Sequence, residues 1–340
     1  MSPRRATSSF VAALGAVTLV AATLAPTAAA APQVTWSDRD VVAGADVRAT
    51  VQKSSRPAGS TLVLERKYLD AWRVEDNTAE ETANGFVLDV PTDQFGKFAY
   101  RVVARSNGGV ESVSDNETIT VRPPYDPVGN RDQHVFSSRP RVRWDSCQAI
   151  RWTFYAKNAP TRGLQQVREG VRRIHLATGH DFTYVGKTDQ KPNPYGNNVD
   201  GADVIIGWRT AKDFAPFARN PGTVGIGGTM YQSGFQEADG TKVNRAVQGG
   251  VVLNASKRSE LGNGFGRGAT WGEVIIHELG HVMGLAHPEA DSQIMYFTAI
   301  RRDADWGAGD LAGLRTLGDT RGCLDRAPSR VSGPGRSRLF

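Results

Sequence analysis

Cysteine is nearly absent from this sequence of 340 residues: Cys147 and Cys323 are the two, and none lies between residues 31 and 146. Two thiols allow one pairing only, and the first third of the chain has no covalent brace of its own. Long apolar runs are equally scarce. Residues 10–24, preceded by Arg4 and Arg5, form the one continuous hydrophobic stretch. As a helix it would extend about 22 Å, short of a hydrocarbon core ~30 Å thick. It therefore reads as the apolar part of an export signal, with Ala28, Ala29 and Ala30 as small residues for cleavage. Residues 1–30 are expected to be a signal peptide, and the mature protein to be secreted, extracellular and without stable membrane insertion. Charge of one sign is also modest. The formal net charge is +6, and losing Arg4 and Arg5 with the signal leaves +4, which argues for no nucleic acid or other particular polyanion as partner.

What remains divides into two differently patterned parts. Residues 33–122 hold short alternating runs at 47–51, 62–66, 86–90, 98–104 and 118–121, separated by Gly, Asn, Asp and Pro clusters. That spacing predicts an all-β sandwich. The stretch 96–102, reading Gly-Lys-Phe-Ala-Tyr-Arg-Val, resembles a late strand of immunoglobulin-like or fibronectin type III-like domains. Residues 123–131, with Pro123, Pro124 and Pro127, read as a stiff linker. Residues 132–325 then alternate strand and helix patterns. Apolar Leu164, Val167, Val171 and Ile174 predict an amphipathic helix over 161–177, residues 202–208 a strand buried on both faces, and residues 269–283 a second long helix. This order predicts an α/β (α+β) domain with a twisted mixed sheet. In an exported chain, Cys147 and Cys323, near the two ends of this part, are expected to pair. Residues 326–340 are expected to be a disordered basic tail, with contact to an anionic cell surface as an open alternative.

Three of the six histidines fall within eleven residues: His277, His281 and His287. With Glu278 and Gly284 they spell H-E-x-x-H-x-x-G-x-x-H. Residues four apart share one helical face, so His277 and His281 are placed to bind one metal ion together. Gly284 tolerates positive φ, and a sharp turn there would return His287 as a third ligand. Three neutral imidazoles with an open fourth position suit a catalytic Zn²⁺, and Glu278 stands where a general base would take a proton from water. Met295 lies eight residues beyond His287, where a methionine turn would floor the site. His134, His175 and His180 have no ligand spacing and read as ordinary residues.

At these positions the chain resembles the metzincin metallopeptidases. Gly280, the short gap to Met295 and the Met295-Tyr296 pair are most similar to the matrixin branch, as is the segment 308–318. His287-Pro288 resembles the serralysins. Serralysins and astacins, however, place a tyrosine ligand two residues after the methionine, where this sequence has Phe297. The resemblance implies one catalytic zinc, a protein or peptide substrate, extracellular matrix among the settings, and a monomer. It implies that the strand with Gly225, Gly227 and Gly228 aligns the peptide, and that Tyr296 borders the pocket beyond the scissile bond. By themselves those glycines read equally as a bulge or twist. Matrixins carry a structural zinc on histidines, but residues 181–276 contain none. Calcium is an open expectation on Asp189, Asn193, Asn197, Asn198, Asp200 and Asp203. With no cysteine in 31–146, the matrixin cysteine-switch propeptide is missing, and any latency must arise elsewhere. The reading is a secreted zinc endopeptidase. The alternative is an extracellular binding protein whose β-sandwich works and whose metal domain is inert.

Overall fold

The computed structural model describes residues 30–75, 78–107, 109–198, 201–298 and 303–326, with the backbone of Gly335–Arg336. The expected signal peptide lies outside them except for Ala30. Among the described residues, no helix is long and apolar enough to cross a membrane.

The first part is β throughout. One sheet orders Val34–Trp36, Val47–Val51, Gly85–Val90 and Glu80–Thr82; the other orders Asp40–Val42, Glu117–Arg122, Gly96–Ser106, Thr61–Lys67 and Trp72–Val74, with Gly109–Val113 beside Gly96–Ser106. The two share one core. Phe98, Tyr100, Val102 and Ala104 enter it from a single strand, as a period of two requires, and meet Leu88 and Val51 of the other sheet. Arg101, on the opposite face, donates to Glu65.

Strands and helices of the second part are numbered here. β1 (Ile150–Tyr155), β2 (Phe182–Thr188), β3 (Val204–Arg209), β4 (Gly225–Gln236) and β5 (Lys242–Asn254) form a sheet ordered β2-β1-β3-β5-β4. β4 alone of these is antiparallel to its neighbour. Central β3 has Val204, Ile205, Ile206 and Trp208 all buried, as its unbroken apolar run predicts. Four helices accompany the sheet: α1 (Gly163–Thr178), the short α2 (Ala215–Arg219), α3 (Trp271–Met283) and α4 (Ala308–Thr316). Val167, Val171 and Ile174 of α1 join Ile275 and Leu279 of α3 and Trp152, Ile206 and Val251 of the sheet in one core. Gly170 permits the close α1–α3 approach, because a Cβ there would lie within 3.0 Å of Ile275.

Cys147 and Cys323 are bonded, with Cα atoms 5.2 Å apart across a sequence separation of 176. Beyond the bridge, β6 (Asp325–Arg326) and β7 (Gly335–Arg336) pair antiparallel with the outer side of β4. This departs from a tail expected to be disordered throughout. An edge strand offers unpaired N–H and C=O groups that recruit any extended segment within reach.

The two parts meet along a buried seam. Phe95 enters the core of the second part, and its backbone N–H donates to Leu176 O at 2.7 Å while its carbonyl accepts from Arg315 at 2.6 Å. Arg66, 5% exposed, bonds Gln94 and lies 3.5 Å from Asp319, to which Gln94 also donates at 2.7 Å. Residues 123–131 are held as well: Val128 O accepts from Ala308 N at 2.8 Å. Removing one partner of a buried ion pair strands the other charge, which costs about 3–5 kcal/mol. Asp319→Ala should lower the stability of the full chain by that order in urea melts; a loss below about 1 kcal/mol would show that the seam contributes little.

Candidate metal centre

α3 starts at Thr270, whose hydroxyl accepts from Glu273 N at 3.2 Å, and runs as an almost wholly buried helix to Met283. It stops at Gly284, with φ of +112°, a conformation that side-chain-bearing residues rarely adopt. A Cβ there would also lie within 3.0 Å of Val142 O. After the reversal, Leu285–Ala286 pairs antiparallel with Val135–Phe136 and carries His287 back over the helix. The turn read from Gly284 is thus present, and its return strand is fixed by a short ladder that no motif signals.

The three imidazoles converge. Nε2 of His277 lies 3.1 Å from that of His287 and 3.2 Å from that of His281, and the last pair are 3.0 Å apart. His277 Nδ1 faces Ile294 O at 2.7 Å and His281 Nδ1 faces Leu285 O at 2.9 Å. A carbonyl only accepts, so both Nδ1 atoms must carry the hydrogen, and both Nε2 lone pairs then point to the shared centre. Burial, and then His287, pushes His281 down to about 4, and burial lowers His287 too, so these two stay neutral near pH 7. Neutral nitrogens with lone pairs at one point suit a cation. Ligands about 2.0–2.1 Å from a tetrahedral zinc stand roughly 3.3 Å from one another, close to the spacing found. The donor set therefore fits zinc.

Glu278, on the same helix, is 5% exposed. Burial pushes its carboxyl up to about 8, opposed by a hydrogen bond from the backbone of Gly227. Above the helix, the start of β4 forms the rim of a cleft of about 890 Å³ that includes Gly225, Gly227, Gly228, Glu278 and the three histidines. The glycines have a steric cause. A Cβ on Gly225 would press on the Glu278 side chain, one on Gly227 on the Glu278 backbone, and one on Gly228 on Pro194 O, all within 3.0 Å. Strand and helix could not approach this closely with side chains between them.

Met295 is buried beneath the centre, its sulfur against Gly280 so closely that no Cβ could stand there. The motif's Gly280 thereby acquires a reason that spacing alone does not give. Tyr296 is half-buried, its ring centroid 4.4 Å from that of Phe297 with the planes tilted by 50°, and it is not among the residues bounding the cleft; Ile294, Phe297 and Thr298 form that wall instead. The turn aims Phe297, 64% exposed, where Tyr296 had been expected. Sequence reasoning also passed over Asp310. Fully buried in α4, it accepts from the backbone N–H of Ile294 at 2.6 Å, Met295 at 3.3 Å and Gly307 at 3.0 Å. It fixes the loop whose Ile294 carbonyl orients His277. An acidic residue three positions into a helix that follows glycine is the signal that could have pointed to it.

Among the described residues, the calcium expectation finds no support. Asp203 accepts from Arg151 N at 2.7 Å, Asn193 from Tyr195 N at 3.1 Å, and Asn198 donates to Asp203 O and Gly249 O; these groups brace a loop, and Asp200 lies outside the described residues. Among the described residues, only the His triad and the Asp145, Cys147, Cys323 group bring three candidate donors together, and the cysteines of the latter are bonded. His175 and His180 serve backbone carbonyls, His180 O and Leu317 O.

In comparisons with known proteins, residues 198–317 match the matrixin family model. The matched stretch holds all three histidines, Glu278, Met295 and Asp310. A search of curated proteins finds no match.

Outer-sphere groups that orient metal ligands typically contribute 10–100-fold to affinity. Asp310→Ala should therefore weaken zinc binding by about that factor while the protein stays folded, as measured by competition with a chromophoric chelator. Unchanged affinity would show that the Ile294 carbonyl needs no such support.

Proposed function

We propose that this protein is a secreted zinc endopeptidase. The matrixin match supports zinc metallopeptidase chemistry. The observation that carries the reading is the convergence of three Nε2 atoms within 3.2 Å beside a buried carboxylate at the floor of a cleft. His277, His281 and His287 would hold the ion. Zinc so held supplies Lewis acidity for a peptide carbonyl and lowers the pKa of water.

The chain's own residues do the remainder. Glu278, whose ionised form a cation held by the three histidines would favour against its burial, would take the proton from the attacking water on its carboxylate and pass it to the leaving amine. The Gly227 N–H holds that carboxylate in place. The backbone of β4 along residues 225–228 aligns an extended substrate, pairing with it as a sheet edge pairs with an added strand. Ile294, Phe297 and Thr298 wall the space beyond the scissile bond. Residues 33–122, which we read as an immunoglobulin/fibronectin-like sandwich, contribute none of their described residues to the cleft, which favours an accessory role over a covering one.

Glu278→Ala should retain zinc and lose activity on casein by on the order of 10²–10⁴-fold, the usual cost of deleting a general base. Metal analysis and proteolysis of the same samples check this. A folded variant without zinc would make Glu278 a ligand. A zinc-loaded parent inert toward casein and peptide libraries would favour the binding-protein alternative.

A further inference from the structure

The segment between α2 and β4 brings a charge to the mouth of the cleft. Pro216, Arg219, Asn220 and Thr223 all border it. The segment is firmly seated: Phe217 is buried with Phe214 and Val252, and Asn220 N donates to Pro216 O at 3.0 Å. Thr223 N donates to Asn220 O at 3.0 Å. The buried Asn254 then holds the way into β4, donating from its side chain to Thr223 O at 2.8 Å and from its backbone to Val224 O at 2.9 Å. Arg219 therefore stands beside a fixed turn, with its side chain exposed. Among the described residues it has no ion pair: Asp213, the only acid in residues 210–224, is taken by Lys191 at 3.4 Å and Arg209 at 3.6 Å. Glu273 and Glu278 also border the cleft, but they are buried, at 2% and 5% exposed. Arg219 is thus the one exposed charge among the described residues that line it.

We propose that Arg219 makes the cleft select peptides that carry an aspartate or glutamate near the bond to be cut. That a bond is cut rests on the endopeptidase reading; that a carboxylate is recognised does not. A guanidinium presents paired N–H donors in a fork that matches a carboxylate, so an acidic side chain is the group it recognises best on a peptide. The reach fits. Arg219 precedes Gly225 by six residues, so even a straight chain would span no more than about 20 Å between them. The turn at Asn220–Thr223 shortens that span. A Cβ on Gly225 would meet the Glu278 carboxyl, so an extended peptide reacting there passes Arg219 within about six residues. No carboxylate of the described chain has to be released first, so the incoming acid competes only with water. Ile294 and Phe297 on the other wall select by shape, and Arg219 adds selection by charge. An ion pair open to solvent contributes a modest factor, about fivefold at most.

The test uses the full chain loaded with zinc and fluorescent peptides blocked at both ends, so that the only carboxyl offered is that of a side chain. Aspartate or asparagine is placed in turn at each of about six positions on either side of the cleaved bond. At one or more positions the Asp-to-Asn ratio of kcat/KM should reach about fivefold and shrink with added salt. Arg219→Gln should bring that ratio to about one, and Arg219→Glu should turn the preference to lysine at the same position. A ratio near one throughout in the natural protein, or a preference that survives Arg219→Gln, overturns the proposal. Should the natural protein cleave none of these peptides, the endopeptidase reading fails, and fluorescence anisotropy of the same peptides decides the recognition. An Asp-to-Asn affinity ratio that is lost in Arg219→Gln sustains it; equal binding, or none, overturns it.

Discussion

The structure turns on the requirement that three ring nitrogens reach one point when a helix supplies only two. α3 presents His277 and His281 from successive turns, and a continuation of that helix would carry a third ligand about one turn further along the axis, out of reach of the same point. The chain must therefore stop and reverse within a few residues, which it does at Gly284 with φ of +112°. Much of the second part serves that reversal. The ladder between Leu285–Ala286 and Val135–Phe136 fixes the returning strand, Asp310 fixes the loop whose carbonyl turns His277, and Met295 fills the space beneath. Nitrogen lone pairs that converge on one point repel one another, so the order of this region is of the kind that binding a cation would complete.

The seam between the two parts has a different character. Arg66, Gln94 and Asp319 are buried and mutually bonded. Such groups gain little over apolar packing, but they tolerate few alternative arrangements. They join the first part to the segment just before Cys323, away from the cleft. The first part is thus coupled to the bridge and to the start of the tail, while the metal centre faces elsewhere.

The centre was legible in the sequence because its chemistry is local. His277, Glu278, His281, Gly284 and His287 sit within one helix and one turn, where spacing determines geometry. The strands of residues 33–122 and the helix α1 were legible for a related reason: their apolar positions repeat with the period of the element. Asp310 was not, because its three partners come from a loop far off in sequence, and a buried carboxylate carries no periodic mark. Tyr296 and Phe297 could not be told apart in advance, since the conformation of one loop decides which of two neighbours faces the cleft. The seam was hidden by the prolines of 123–131, which mark a change of chain direction as readily as a free linker. The oxygen-rich loop was ambiguous because a string of Asp and Asn is the composition of a cation site and of a braced turn alike.

The close approach of β4 to α3 also constrains how such a protein can diversify. With Gly225 and Gly227 pressed against Glu278, the upper lip of the cleft admits almost no side-chain change without displacing that carboxyl. Ile294, Phe297 and Thr298 are under no such restriction, and Phe297 is largely solvent-facing. Change in what the cleft accommodates would find its raw material on that lower lip, while the upper one stayed nearly invariant.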